Sequence, residues 1–385
     1  MYTLLISIIY ISFISLGLGD SLFGAAWPVI QRDLDIPLHY AGIVSLLMAV
    51  GTVTAGLMSD RIIRKFGMKI VAPFSVVLTA VSLFGFSTSS TFWLLCLWAV
   101  PYGIGGGTLD TAMNNYVATN YTSRHMSWLH CFWGVGAMTG PYIMGLYLTN
   151  GVHWHVGYRT IALMQIIFAV LLMLSFPLWK KRNTIHEEDT PVKNLREILQ
   201  IPKVKFILFA FFAYCAIEAT TGFWASTFLV NHRNIEVETA ALFASLFFGG
   251  ITAGRFIAGF VANRLGSMKM IKIGITFILL GIIALFVPID DNTLSFIGLI
   301  TIGLGAAPIF PALIHSIPIT FGPENSQAII GVQMAGAYTG SALMPPLFGL
   351  ISNAVGMGFY PVFLMIFALL FIVMFRLLNK KGLSS

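Results

Sequence analysis

GIGGGTLDTAMNNYVATNYTSRHMSWLHCFWGVGAMTGP, residues 103–141, decides the fold. Two long apolar segments meet in it at a short turn that holds Arg124. The first carries Asp110, Asn114 and Asn115; the second carries His130. A bilayer core makes such groups costly, so an acid and an imidazole kept there are functional candidates.

The rest of the chain fits that reading. Hydrophobic residues make up 57% and charged residues 10% of the sequence, against about 25% charged in soluble domains. Twelve apolar runs lie near 4–30, 40–59, 68–88, 91–119, 127–149, 157–179, 205–231, 238–262, 268–288, 292–316, 327–352 and 357–378. Each suits a spanning helix of roughly 20 residues, so the fold class expected is an all-α membrane protein of twelve transmembrane helices. The first run shows no cleavage site and reads as helix 1, not a signal peptide. Of the 22 Lys and Arg, 19 lie in or beside the connections on one side; Arg32, Arg159 and Arg233 lie toward the other. The positive-inside rule then puts both termini in the cytoplasm of a multi-pass cell-membrane protein. It also accounts for the net charge of +7 without a nucleic-acid partner. Cys96, Cys131 and Cys215 sit within apolar runs and read as packing residues. No two His are read at metal-ligand spacing, and no metal or cofactor site is expected.

The halves repeat. GAMTG at 136–140 returns as GAYTG at 336–340, and Gly103-Ile-Gly105 as Gly303-Leu-Gly305. Asp20 with Gly24 is matched to Glu218 with Gly222, each followed by a Trp, Trp27 or Trp224. The division expected is a six-helix bundle over 1–179, a charged cytoplasmic linker over 180–204 and a second six-helix bundle over 205–385. Substrate sites in such repeat folds lie near mid-membrane between the halves.

Three acids remain once loops and the loop-end Asp60 are set aside: Asp20, Asp110 and Glu218. Asp110 and Asn114 are one helical turn apart and can address one cavity. A desolvated carboxylate with no fixed partner tends to take up a proton, which suits a proton-coupled carrier. Asp110 is read as the first coupling candidate and Asp20 as the second. His130 is either hydrogen-bonded within the bundle or a ligand contact or proton relay. Glu218, Asn115 and Gln333 are further substrate-binding candidates. Trp27, Trp133 and Trp224 offer faces on which a sugar ring, a packing neighbour or lipid can stack. Arg255 reads as a gate or structural pair.

GTVTAGLMSDRIIRKFG, residues 51–67, resembles the loop signature of the major facilitator superfamily, through Gly56, Asp60, Arg61, Arg64, Lys65 and Gly67. The resemblance implies a gating latch there. A weaker second copy is read in GRFIAGFVANRLG, with Gly259, Arg264 and Asn263 in place of the acid. Asp110-Thr111-Ala112-Met113-Asn114, the run Met126–Gly140, and Ala216–Trp224 resemble the fucose/glucose/galactose proton-symporter branch. That resemblance implies two pseudo-symmetric bundles, alternating access, a monomer, and a helix-1 Asp and helix-4 acid in proton coupling and binding, here Asp20 and Asp110. Two departures stand out: Asp110 replaces Glu, and His130 replaces an amide.

The function expected is proton-coupled symport of a monosaccharide or similar small polar solute, with protons and membrane lipid as the other partners. The alternative is a proton antiporter exporting an amphipathic drug or metabolite; Gly136-x-x-x-Gly140-Pro141 resembles the antiporter signature. An intramembrane enzyme would need a catalytic pair or metal cluster at one depth, and none is read.

Overall fold

A computed structural model describes residues 2–121, 123–179, 195–287 and 292–380. The chain is helical throughout: α1 (Tyr2–Asp20), α2 (Leu22–Asp33), α3 (Tyr40–Phe66), α4 (Met68–Phe86), α5 (Phe92–Asn120), α6 (Ser123–Thr149), α7 (Trp154–Leu174), α8 (Leu195–Gln200), α9 (Val204–Arg233), α10 (Val237–Leu265), α11 (Ser267–Phe286), α12 (Thr293–Ala306), α13 (Ile309–Phe321), α14 (Pro323–Val355) and α15 (Tyr360–Asn379). Among the described residues nine spans are apolar enough by hydropathy to cross a membrane, with α1–α2 and α12–α13 each counting as one. The polar-bearing α3, α6 and α14, each at least 27 residues long, complete the twelve. Most of the expected linker lies outside the described residues; α8 is its described part.

Two spans are broken. Pro308 lacks the amide that would join α12 to α13. In the first span the break falls at Ser21, directly after Asp20, and the Ser21 hydroxyl turns back to the Gly17 carbonyl at 3.2 Å. A side chain that bonds its own preceding turn competes with the helix ladder. The break places a carboxylate past the middle of a membrane span.

Small residues set the packing, because helices in lipid associate by close fit rather than by hydrophobic exclusion. Gly103 lies against the Met48 carbonyl, joining α5 to α3, and Gly303 lies against the Phe247 carbonyl, joining α12 to α10. Gly136 and Gly140 rest on Ile14 and Leu18 of α1; Gly336 and Gly340 rest on Leu208 and Phe212 of α9. The sequence repeat is therefore a repeat of helix contacts, and the two bundles are pseudo-symmetric.

The contacts also correct the register of the repeat. Since Leu18 corresponds to Phe212, the counterpart of Asp20 is Tyr214, and Glu218 lies one turn further along α9. Since Met48 corresponds to Phe247, Gly51 matches Gly250, and the left-handed Gly67 (φ 78°) matches Gly266 (φ 74°). Gly259 then stands at the position of Asp60, and Arg255 at that of Gly56. Asn263 is thus not the counterpart of the latch acid; short glycine patterns slid by one turn in the sequence comparison.

At the end of the molecule bearing the α2–α3 turn the halves are closed. Gly24 sits on Phe223, Gly42 sits on Pro346, and the Ser226 hydroxyl donates to the Ala25 carbonyl at 3.1 Å. Phe23 and Phe223 meet across the halves with ring centroids 5.8 Å apart.

Candidate functional site

Asp20 is solvent-exposed although it lies deep along its span. Its carboxylate is turned toward α5 and α6. Each carboxylate oxygen accepts one hydrogen bond. The Tyr102 hydroxyl of α5 donates to Oδ1 at 2.9 Å, and the Trp133 indole N–H of α6 donates to Oδ2 at 3.0 Å. Gly19 makes this possible: a Cβ there would collide with the Tyr102 ring, whose hydroxyl it would meet first.

Trp133 leads onward to the second half. The Arg255 guanidinium of α10 lies over its ring, 5.5 Å from the centroid, a cation–π contact strengthened by partial desolvation. Arg255 also donates to Glu218 Oε1 at 3.4 Å and to the His130 carbonyl at 3.2 Å. The Tyr214 hydroxyl donates to Glu218 Oε2. One chain of contacts therefore runs Tyr102–Asp20–Trp133–Arg255–Glu218–Tyr214 and crosses from one bundle to the other. Its depth is consistent: Asp110, Trp133 and Arg255 each lie ten residues from the same end of α5, α6 and α10, and Glu218 lies midway along α9. The Arg255–Glu218 side chains are only 11% and 18% exposed, so removal of either partner leaves the other poorly solvated, at a cost of about 3–5 kcal/mol.

Asp110 stands beside this chain. Its Oδ1 and its own carbonyl both accept from the Asn114 amide, at 2.9 and 3.0 Å, as the one-turn spacing required. It is within Coulombic reach of Asp20 and of Tyr338 in the second half. The His130 ring sits between Phe13 and Phe310, at centroid distances of 5.8 and 6.1 Å.

The remaining candidates divide. Trp27 and Trp224 are 0% exposed. Their indole N–H groups donate to the Leu38 carbonyl at 3.2 Å and the Pro345 carbonyl at 2.9 Å. Both belong to the closed end, whereas Trp133 meets Asp20. Gln333 is 1% exposed, and both its amide atoms lack a hydrogen-bond partner. A methyl group at Gly56 would lie 3.3 Å from the Thr111 hydroxyl, whereas Gly259 faces open space and Arg264 is exposed. The side chains of Asn115, Asp60, Arg61 and Arg64 lie outside the described residues.

The sequence reading missed Tyr102 and left Trp133 undecided. A hydroxyl and an indole in apolar helices carry no charge signal, and only the packing of α1 against α5 and α6 brings them to Asp20. It also missed an Asp33–His153–His155 group at the closed end. The signal available there was the His-x-His spacing at 153–155.

Known proteins give the same answer at the level of family. Residues 9–332 match the sequence family described as Major Facilitator Superfamily. The chain is 24% identical to the Bypass of stop codon protein 6 of Saccharomyces cerevisiae, over 96% of this chain and 81% of that one. It is 22% identical to the Glucose/mannose transporter GlcP of Bacillus subtilis, over 88% and 86%. It is 25% identical to the class B Tetracycline resistance protein of Escherichia coli, over 87% and 85%. A crystal structure of a bacterial homolog to the human lysosomal transporter Spinster shares the fold, with a TM-score of 0.75 over 97% of both chains at 13% identity. By its twelve-span architecture and by this match over most of its length, the chain belongs to the Major Facilitator Superfamily.

Proposed function

We propose that this transporter is a proton-coupled symporter of a monosaccharide or similar small polar solute, of the fucose/glucose/galactose proton-symporter branch. The bundles 1–179 and 205–385 rock about a central site, with both termini cytoplasmic and the chain acting as a monomer. One observation carries the reading: the Asp20 carboxylate is tied through Trp133 to the Arg255–Glu218 pair of the other half.

The chemistry follows from the donor set. Tyr102 and Trp133 each donate one hydrogen, which suits an ionised Asp20 with both oxygens accepting. A proton arriving on Oδ2 turns that oxygen toward donation and displaces the Trp133 N–H. The ring beneath Arg255 is then free to shift, and the cross-bundle contact loosens. Occupancy of the acid by a proton is thereby linked to the freedom of one bundle against the other. Trp133, in a T-shaped contact with Phe248, offers a stacking face to a sugar. Asp110, Asn114, Glu218 and His130 supply hydrogen-bonding groups for hydroxyls. In the other state Gly56, Asp60, Arg61, Arg64, Gly259 and Arg264 form the closing latch. The GlcP relative supports the solute class.

The antiporter reading draws on the tetracycline-resistance relative and on the Gly136–Gly140 packing against α1. One experiment separates the two. Proteoliposomes with a pH dye receive a panel of sugars outside. The expected result is alkalinisation of the outer medium with one sugar, reduced at least tenfold by Asp20→Asn and by Asp110→Asn. Proton movement on adding amphipathic cations, with no response to any sugar, would overturn symport in favour of export.

A further inference from the structure

Outside the central site, the ends of α2 and α7 bring together Asp33, His153 and His155, each offering one ligand atom, all within 4.8 Å of one another. We propose that they form a binding site for a divalent transition-metal ion, of which zinc best fits two imidazoles and one carboxylate. The proposal is independent of the transport reading above.

Two of the three ligands are already oriented. His155 Nε2 lies 3.2 Å from the Ser89 carbonyl. A carbonyl only accepts, so Nε2 carries the hydrogen and Nδ1 carries a free lone pair. An outer partner that fixes the tautomer in this way is a regular feature of metal-ligating histidines. The Trp154 indole N–H donates to Asp33 Oδ2 at 3.1 Å, which holds the carboxylate and leaves Oδ1 available. Trp154 itself is fully buried and stacked on the His155 ring, with centroids 3.7 Å apart, so the two outer partners rest on rigid structure.

His153 is the third ligand. His153 Nε2 lies 3.5 Å from Asp33 Oδ1, and its Nδ1 lies 2.7 Å from His155 Nδ1. Without an ion, His153 Nδ1–H donates to the His155 Nδ1 lone pair; a bound metal ion would take the place of that hydrogen, which would then sit on His153 Nε2. Two zinc–nitrogen bonds of about 2.0–2.1 Å at a tetrahedral angle separate the nitrogens by about 3.3 Å. The imidazoles are nearly parallel, at 9°, so His153 must turn to aim at a shared ion. Its side chain is 50% exposed and has room to turn. The fourth position would face solvent. The bound ion would fasten the end of α2, which closes against α9, to α7.

The test uses full-length, tag-free protein in detergent, stripped with a chelator and titrated with Co²⁺ alone, then displaced by Zn²⁺. The expected result is one Co²⁺ per chain with the visible absorption of a four-coordinate site. Affinity falls at least tenfold in His153→Gln, His155→Gln and Asp33→Asn. Zn²⁺ raises the melting temperature of the unsubstituted protein and leaves that of His155→Gln unchanged. Melting without metal confirms that each variant is folded; a variant that fails this check is replaced by its neighbour in the trio. Absence of stoichiometric binding, or binding that survives all three substitutions, overturns the proposal.

Discussion

Gln333 occupies an environment that folding alone does not explain. It is an amide with both polar atoms unpaired and 1% exposure. A buried unpaired polar group costs on the order of 1–3 kcal/mol. If the proposed transport cycle holds, the partner of this amide is expected in another state or on the solute. Gln333→Leu is expected to raise the melting temperature, by the equivalent of about 1 kcal/mol or more, while lowering the rate of solute uptake. An unchanged or lower melting temperature would show that the amide is satisfied after all. Asp20 presents the opposite case, a group with every local demand met by Tyr102 and Trp133. Under the proposed coupling role, its protonation is expected to weaken one of these two hydrogen bonds.

At the scale of elements, glycines separate contacts made in this state from contacts reserved for another. Gly103 and Gly303 sit backbone to backbone on α3 and α10, so a larger side chain has nowhere to go. Gly303→Val is expected to abolish recovery of folded protein from the membrane. Gly259→Val is expected to leave recovery and melting unchanged, because a Cβ there meets nothing within 4 Å. It should nevertheless slow uptake several-fold if that face closes in the other state; unchanged uptake would remove Gly259 from the latch.

The same glycines show what the sequence reveals and what it hides. Helix number and the twofold repeat are legible because hydropathy runs and glycine patterns are local and periodic. Register is less legible. GRFIAGFVANRLG aligns attractively with the first-half latch, yet the packing of Gly51 and Gly250 shows that it was read one turn out. The acids were legible because charge is rare in apolar helices. Their partners Tyr102 and Trp133 were not, since they come from α5 and α6 and resemble any other aromatic until the helices are assembled. Trp27 and Trp224 look like binding faces in the sequence for the same reason, and the structure uses them to close one end.

For the whole molecule, that closure makes a direct prediction. Ser226 of α9 reaches the Ala25 carbonyl of α2 across the two halves. In a background with Cys96, Cys131 and Cys215 replaced by Ala, the pair Ala25→Cys and Ser226→Cys is expected to form a disulfide on oxidation and stop transport. Reduction should restore it. Persistence of transport in the fully oxidised protein would mean that this end does not open during the cycle.

The material of the closure also matters. It is a plug of aromatic rings, Phe23, Trp27, Phe223 and Trp224, in which Trp27 and Trp224 are 0% exposed. Small ions cross a bilayer only where a continuous wet path exists, and packed rings exclude one. With this end closed the protein is expected to be an electrical insulator, able to fill its membrane at high copy number without short-circuiting the voltage across it.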